Sequence, residues 1–377
     1  MTKAPFPVAE RIAALSERCR REVDQGRLPG FQLAVGHSGQ VIFSEAYGEV
    51  GEGQRFPTFS AVKPTVSLTV LALAAEGLFA LEDPVASVLP SFVGGGKDEI
   101  TISQVLLHGG GFPTAPMSFE VAAVRRQRLE RYRSWYTTAV PGSSFAYHAT
   151  SAHWVLADVM EEVTGRPYAD VVYERVMEPA GCSRWLGIDD AELANVVDVI
   201  EVGEPMDPAE FRSRFGVEPP ETEVTNEALL RFNQPEVRRI GVPGGGGLCT
   251  AAELANWYQA ILHDQGTILR PDVRRDAIEV VRQRHPDLLG VPANRTHAFV
   301  LAGDDGQAAA RGHGHTVSPG TFGHGGARGQ IGWADPQSGL SLGFLTHGLD
   351  RNDLVVGRRT VAISSLAGLV TTPVPEQ

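Results

Sequence analysis

The sequence predicts an α+β fold in which one antiparallel sheet is flanked by helices and interrupted by a mainly helical region. Apolar and polar residues alternate over residues 31–50 and again over 323–348, each time around a short turn, which is typical of β-hairpins. Between these hairpins apolar residues recur at helical spacing, as over 151–163. Strand patterns at both ends of the chain and helices in its middle indicate one sheet domain with an insertion.

The expected domain limits follow from where these patterns change. We expect residues 1–85 and 290–377 to form the sheet domain and residues 86–289 to form the mainly helical domain, with the active site at their interface. Helical patterns at 8–26 and 354–370 would flank the sheet at the two ends of the chain.

Length and composition narrow the functional classes. A chain of 377 residues, 42% of them hydrophobic, suffices for one large mixed domain or two packed halves. Its net charge of −12 argues against nucleic acid as a partner, because phosphate binding needs clustered Lys and Arg. No stretch approaches the roughly 20 apolar residues of a membrane span, and the charged start of the chain lacks the apolar segment of an export signal. We therefore expect a cytoplasmic protein with a small-molecule ligand and neither membrane nor nucleic-acid partners.

The cysteines and histidines do not suggest a metal site. Cys19, Cys182 and Cys249 are an odd, sparse set without metal-ligand spacing, and Cys249 is interpreted as a packed thiol. His313 and His315 form a His-x-His pair, but no nearby Asp or Cys completes a ligand set, so polar loop histidines are the better interpretation. We expect no metal and no cofactor.

Ser60 and Lys63 form the first candidate catalytic pair. They lie three residues apart at the predicted start of an apolar helix, which places them on one face of it. A serine hydroxyl is a weak nucleophile that needs a base. A neutral lysine amine can serve where burial and nearby positive charge lower a lysine pKa. Alone, Ser-x-x-Lys is a weak pattern, because a capping serine followed by a solvated lysine gives the same spacing.

Three further blocks accompany this pair. The segment FSAVKP at 59–64 is followed by PGSSFAYHA at 141–149, GGGGL at 244–248 and FGHGG at 322–326. These blocks stand in the order of the active-serine, Tyr-x-Asn, glycine-rich and Lys-Thr-Gly or His-x-Gly segments of the class C β-lactamase and penicillin-binding protein family. The chain resembles that family over about residues 31–370. The resemblance implies a β-lactamase/transpeptidase-like fold.

The resemblance also implies a role for each side chain of the pair and its partner. Ser60 would be the acylated nucleophile of a serine hydrolase. Lys63 and Tyr147 would share its proton, with Tyr147 as the direct acceptor and as the donor to the leaving group.

An oxyanion hole and a substrate-binding edge are implied in the same way. The backbone N–H groups of Ser60 and Ala327 would bind the oxyanion, and removing one such donor typically costs about 10²–10³ in rate. Gly325 and Gly326 would let the strand backbone approach the substrate closely. His324 would supply a polar or partly cationic wall where other members carry Lys.

One position departs from the family pattern. Ala149 stands where lactamases and peptidases of the family carry Asn, a side chain that holds the substrate's amide. Alanine can neither donate nor accept there, which favours esters over β-lactams and D-peptides. The expected function is therefore that of the carboxylesterase branch. β-Lactamase, D-amino acid amidase or peptidase, and acyltransferase activities are the alternatives, and an acyl-binding protein without turnover is a further one.

Two more segments bear on the site. HGGGF at 108–112 imitates the oxyanion loop of α/β-hydrolase lipases, but no Gly-x-Ser-x-Gly elbow accompanies it, so His108 is interpreted as structural. Residues 190–243 show no clear period, and a long segment of this kind often packs over a functional site. We expect it and the loop after His108 to line the acyl pocket.

Overall fold

An antiparallel sheet forms the centre of the computed structural model, which describes residues 8–219 and 224–371. Six of the described strands form one sheet in the order β2-β1-β9-β8-β7-β6, so its strands come from both ends of the chain. The predicted antiparallel sheet is confirmed, whereas the division near residues 85 and 290 stays a prediction. In chain order the described strands are β1 (Gly30–His37), β2 (Gln40–Gly48), β3 (Phe56–Pro57), β4 (Ile200–Val202), β5 (Leu248–Cys249), β6 (Val300–Leu301), β7 (Phe322–Gly325), β8 (Ile331–Asp335), β9 (Leu340–Thr346) and β10 (Gly348–Asp350).

Helices cover both faces of the sheet and make up most of the middle of the chain. Short 3-10 turns lie at Phe59–Val62, Arg231–Asn233 and Ala327–Gly329. Among residues 8–219 and 224–371, no helix is both long and apolar enough to cross a membrane. In chain order the described α-helices are α1 (Val8–Asp24), α2 (Lys63–Ala75), α3 (Val85–Val88), α4 (Ile102–Leu106), α5 (Phe119–Ala122), α6 (Arg125–Tyr132), α7 (Ser151–Thr164), α8 (Tyr168–Val172), α9 (Asp190–Leu193), α10 (Pro208–Phe215), α11 (Asn226–Leu230), α12 (Pro235–Ile240), α13 (Ala251–His263), α14 (Pro271–Glu279) and α15 (Asp353–Ala367).

The sheet separates two hydrophobic layers. On one face Phe31 and Trp333 pack against the apolar sides of α1 and α15. On the other face α13 lies across β1, β8 and β9 and connects the sheet to the helical body. Both faces are covered, which explains why β1 and β9 are buried along almost their whole length.

Helix α2 runs through the helical body, where it contacts α7, α8 and α14. Most of its residues are buried, and two of its threonines bond to the backbone of the preceding turn. The hydroxyl of Thr65 donates to the Val62 carbonyl and that of Thr69 donates to the Thr65 carbonyl. A helix packed on all sides gives the residues at its N-terminus a rigid support.

Residues 190–243 contain more regular structure than their sequence indicates. The helices α9 to α12 and the strand β4 lie in this segment, each only three to eight residues long. Elements of this length are too short for an apolar period to emerge. Residues 220–223 of the segment lie outside the described part of the chain.

Candidate active site

Ser60 lies in a tight turn that leads directly into α2. The 3-10 turn Phe59–Val62 is continued by α2 from Lys63 onward, as the spacing of the pair predicts. Phe59 has a φ of 46°, a left-handed conformation that is uncommon for a bulky residue and costs about 1–3 kcal/mol. Its ring is buried against Phe232, and this packing holds the turn while Ser60 stays partly exposed.

Lys63 lies beneath Ser60 with only 1% of its surface exposed. Its Nζ is 3.2 Å from Ser60 Oγ, 2.7 Å from the Ala149 carbonyl oxygen and 2.5 Å from the Gly244 carbonyl oxygen. A side chain at position 244 would crowd this arrangement, since its Cβ would come within 3.2 Å of Nζ. The Lys63 amine, which belongs to the block 59–64, therefore contacts two of the other three sequence blocks, 141–149 and 244–248.

Tyr147 is fixed from both sides by His108. The N–H of Ala146 donates to the His108 carbonyl at 3.2 Å, and the N–H of His148 donates to His108 Nδ1 at 3.1 Å. The imidazole of His108 lies 4.7 Å from the ring of Tyr147, measured between centroids. Burial lowers the pKa of His108 well below its ordinary value, which keeps Nδ1 available as an acceptor. The structural interpretation of His108 is confirmed, and its contacts also position Tyr147.

Two basic side chains approach the ring of Tyr147. Lys63 Nζ lies 5.2 Å from the ring centroid, and the guanidinium of Arg295 lies 5.4 Å from it. Arg295 also stacks on Phe145, at 5.4 Å. Sequence reasoning missed Arg295, because a single arginine in a loop carries no pattern that distinguishes it from a surface residue.

The end of β7 forms the wall opposite α2. At Gly326 a Cβ atom would lie 2.1 Å from the carbonyl oxygen of Thr58, just before the Ser60 turn, so only glycine fits. At Gly325 the nearest contact of a Cβ would be the Gln330 carbonyl oxygen at an ordinary 3.7 Å. Within the protein, close packing thus requires glycine at 326, where the chain after β7 meets the backbone beside Ser60, and the close approach of both glycines to a substrate stays a prediction.

Ser60 and Ala327 each stand in the first turn of a 3-10 helix and line the same cleft. Backbone N–H groups in a first helical turn have no acceptor within the helix and are available to a ligand. The geometry is compatible with the predicted pair of oxyanion donors.

His324 is a neutral member of this wall. Its Nδ1 donates to the Gly325 carbonyl at 2.7 Å, and its Nε2 faces Arg295 Nη1 at 3.4 Å, so the ring has one donor and one acceptor. Burial, with Arg295 nearby, lowers the pKa of His324 well below its ordinary value. Of the two characters expected of His324, the hydrogen bonds favour the polar one, and Arg295 provides the positive charge at this edge.

A cleft of about 210 Å³ opens beside Ser60. It is mostly apolar, and the loop after His108 and the segment 224–232 form much of its wall, as expected from the sequence. Its lining residues are Phe59, Ser60, Met117, Ser118, Phe119, Ala149, Thr150, Val224, Ala228, Leu229, Arg231, Phe232, Gly244, Gly245 and Ala327.

The other candidate nucleophile takes no part in this site. Cys249 is buried in β5, and burial raises the pKa of its thiol well above the usual range. The thiol therefore keeps its proton, and the reactive thiolate does not form. The packing interpretation of Cys249 is confirmed. Within residues 8–219 and 224–371, no cluster of three His, Cys, Asp or Glu side chains is placed to hold a metal ion.

An antiparallel sheet covered by helices, with a partly exposed serine and a buried lysine paired at the start of a central helix, defines a protein of the β-lactamase/transpeptidase-like class. The sequence model of the Beta-lactamase family matches residues 11–366. The chain belongs to that family.

Its relatives include esterases. Esterase EstB of Burkholderia gladioli is 29% identical over 375 residues, which cover 90% of either chain. Esterase/beta-lactamase LipL of Mycobacterium tuberculosis is 28% identical over 323 residues, 76% of this chain and 68% of that protein. These relatives confirm the resemblance to the esterase branch of the family and support hydrolase activity in general.

Solved structures share the same fold. A penicillin-binding protein homologue from Caulobacter crescentus superimposes with a TM-score of 0.77 at 23% identity, over 98% of this chain and 99% of that one. A family VIII carboxylesterase superimposes with a TM-score of 0.75 at 21% identity, over 95% and 97% of the two chains. At these identities the likeness establishes the fold.

Proposed function

We propose that this protein is a serine carboxylesterase that hydrolyses esters through an acyl-enzyme on Ser60. The observation that carries the proposal is the 3.2 Å separation of Ser60 Oγ and Lys63 Nζ in a cleft with an apolar wall. The esterase relatives support the type of bond that is cleaved.

The contacts of Lys63 suit a base. Its Nζ donates to the carbonyls of Ala149 and Gly244 and lies 3.2 Å from Ser60 Oγ, to which it also donates. In the proposed mechanism the neutral form of this amine accepts the Ser60 proton as the oxygen attacks, so Lys63, rather than Tyr147, is the direct acceptor. Tyr147, whose ring centroid is 5.2 Å from Nζ, passes that proton to the leaving group.

The reaction proceeds in two steps, acylation and deacylation. In the first, Ser60 Oγ bonds to the ester carbonyl carbon, the N–H groups of Ser60 and Ala327 hold the oxyanion, and the alcohol leaves with the serine proton. In the second, water attacks the acyl-enzyme, gives its proton to the same base, and releases the carboxylic acid. The proton then returns to Ser60 Oγ.

Ala149 favours an ester over an amide substrate. Its methyl group lines the cleft, and its carbonyl oxygen is already bonded to Lys63. An acylamino substrate would find no amide side chain at this position, and an unpaired polar group in a closed site costs binding free energy.

The test compares the wild type with Ser60→Ala on a short-chain p-nitrophenyl ester. We expect a pre-steady-state burst, a mass increase of one acyl group on the peptide that contains Ser60, and a loss of at least about 10³-fold in kcat/KM in the variant. The control is Ser87→Ala, which removes an exposed hydroxyl from α3 and should change neither rate nor labelling.

If Ser60→Ala kept more than a tenth of the wild-type rate, the assignment of Ser60 as the nucleophile would be wrong. A permanent adduct without product release would instead indicate an acyl-binding protein. The same assay with a chromogenic cephalosporin, a D-amino acid amide and an added alcohol acceptor separates esterase from β-lactamase, amidase and acyltransferase action.

A further inference from the structure

Three aromatic rings line the cleft beside Ser60. The ring of Phe232 meets those of Phe59 and Phe119 edge to face, each pair with centroids 5.5 Å apart. Met117 and Leu229 complete an apolar wall. Interlocked rings of this kind form a rigid surface that favours apolar groups and offers few hydrogen-bond partners.

The cleft lies on the acyl side of the reacting carbonyl. Ser60 and Ala327, which would hold the carbonyl carbon and its oxygen, both line it. Tyr147, the proton donor to the leaving alcohol in the proposed mechanism, does not line it, and neither does His324. A substrate bound with its alcohol toward Tyr147 therefore places its acyl chain among the phenylalanine rings.

We infer that the acyl pocket selects esters of medium-chain or arylalkanoic acids, with about six to eight carbon atoms; this rests on the proposed esterase function. An apolar cavity of about 150 Å³ suffices for benzene. The pocket of about 210 Å³ thus has room for a ring or chain of that length.

The specificity constant should rise with each carbon atom added to the acyl chain. Each methylene buried in an apolar site contributes about 0.8 kcal/mol, which corresponds to about a fourfold rise in kcat/KM. Over the methylenes that separate acetyl from hexanoyl the specificity constant should rise on the order of 10²-fold. Longer chains emerge into solvent, so the rise should stop near octanoyl and laurate should gain nothing more.

The experiment measures kcat/KM for p-nitrophenyl esters from acetate to laurate, with phenylacetate as the aromatic member. We expect a maximum at hexanoate to octanoate and efficient hydrolysis of phenylacetate. A maximum at acetate, or a flat profile, overturns the inference while leaving the esterase proposal intact. No hydrolysis of any ester would instead remove the proposed function itself.

Two variants test whether the pocket determines the chain-length dependence of kcat/KM. Phe232→Ala deletes the central ring and should move the maximum to longer chains, while Phe232→Leu keeps an apolar core side chain and should move it less. The control is Phe215→Ala, since Phe215 is 40% exposed on α10 and does not line the cleft. An unchanged maximum in both Phe232 variants overturns the assignment.

Discussion

The two walls of the cleft are held in different ways. On the catalytic wall, the Ser60 turn, the Lys63 amine and the end of β7 are placed by backbone contacts to a buried helix and a sheet edge. On the pocket wall, Phe119 and Phe232 project from a one-turn helix and a 3-10 turn and are placed by contacts between side chains. Chemistry that tolerates little displacement is supported by the regular elements, and selection of the acyl chain depends on side-chain volume.

This difference predicts two classes of variant. Changes on the catalytic wall should lower the rate with every ester by a similar factor. Changes on the pocket wall should alter the order of preference among esters and leave the rate with acetate almost unchanged. Phe232 is the exception, because its ring also packs on Phe59 in the Ser60 turn, so its variants should in addition lower the rate with every ester.

The largest effect is expected for Gly326→Ala. A Cβ there would lie 2.1 Å from the Thr58 carbonyl oxygen, so β7 must move away from the Ser60 turn and carry Ala327 with it. Misplacing one oxyanion donor should lower kcat/KM by about 10²–10³ for acetate and octanoate alike. The control is Gly325→Ala, whose Cβ would meet only an ordinary contact at 3.7 Å. Equal losses in the two variants would contradict the role given to the 326 backbone.

A smaller effect is expected on stability when the pH is lowered. It concerns His148, which holds the loop of Tyr147 on the catalytic wall. Burial lowers the pKa of His148 to about 4, while its pKa in the unfolded chain is about 6.5. Its neutral ring donates to the Ala146 carbonyl and accepts from the Phe112 N–H, contacts that hold the loop of Tyr147. Between those two pKa values the unfolded chain binds more protons, so the free energy of unfolding falls as pH falls, by up to about 1.4 kcal/mol per pH unit for this histidine.

Denaturant unfolding at several pH values from 7 to 4.5 measures that slope. The buried His108 and His324, whose pKa values burial also lowers, contribute to the measured slope, so the variant His148→Gln should reduce it by up to about 1.4 kcal/mol per pH unit without abolishing it. No histidine lines the described part of the acyl pocket, so the ester chain-length preference should stay constant over the same range. An identical slope in the variant would show that other groups dominate the acid response.

The sequence predicts the catalytic wall better than the pocket wall, because the first depends on local spacing and the second on packing between distant parts of the chain. Ser60 and Lys63 are close because of helical spacing alone, so their contact needs no tertiary information. The segment 190–243 was identified as part of the wall, but its short helices were not, because none spans enough turns to show a period. Which of its rings meets Phe59 depends on packing between distant parts of the chain.

Three residues show where sequence patterns stop being informative. Gly325 and Gly326 are equivalent in the sequence, and only the folded chain distinguishes them, through the Thr58 carbonyl and the Gln330 side chain beside Gly326. His324 follows the family's cationic position, but its charge depends on burial and on Arg295, which no motif marks.

The smallest effect is expected at the rim of the pocket wall. The guanidinium of Arg231 stacks 4.6 Å above the ring of Phe119 and forms an ion pair with Glu120 at 2.7 Å. The variant Arg231→Gln should raise KM for octanoate about two- to fivefold through loss of the stack, and leave acetate unchanged. Glu120→Gln should change neither, because an exposed ion pair is screened by solvent and salt. If Glu120→Gln matched the effect of Arg231→Gln, and added salt abolished both, the ion pair would hold this ring in place, and the pocket wall would depend on charge as well as on volume.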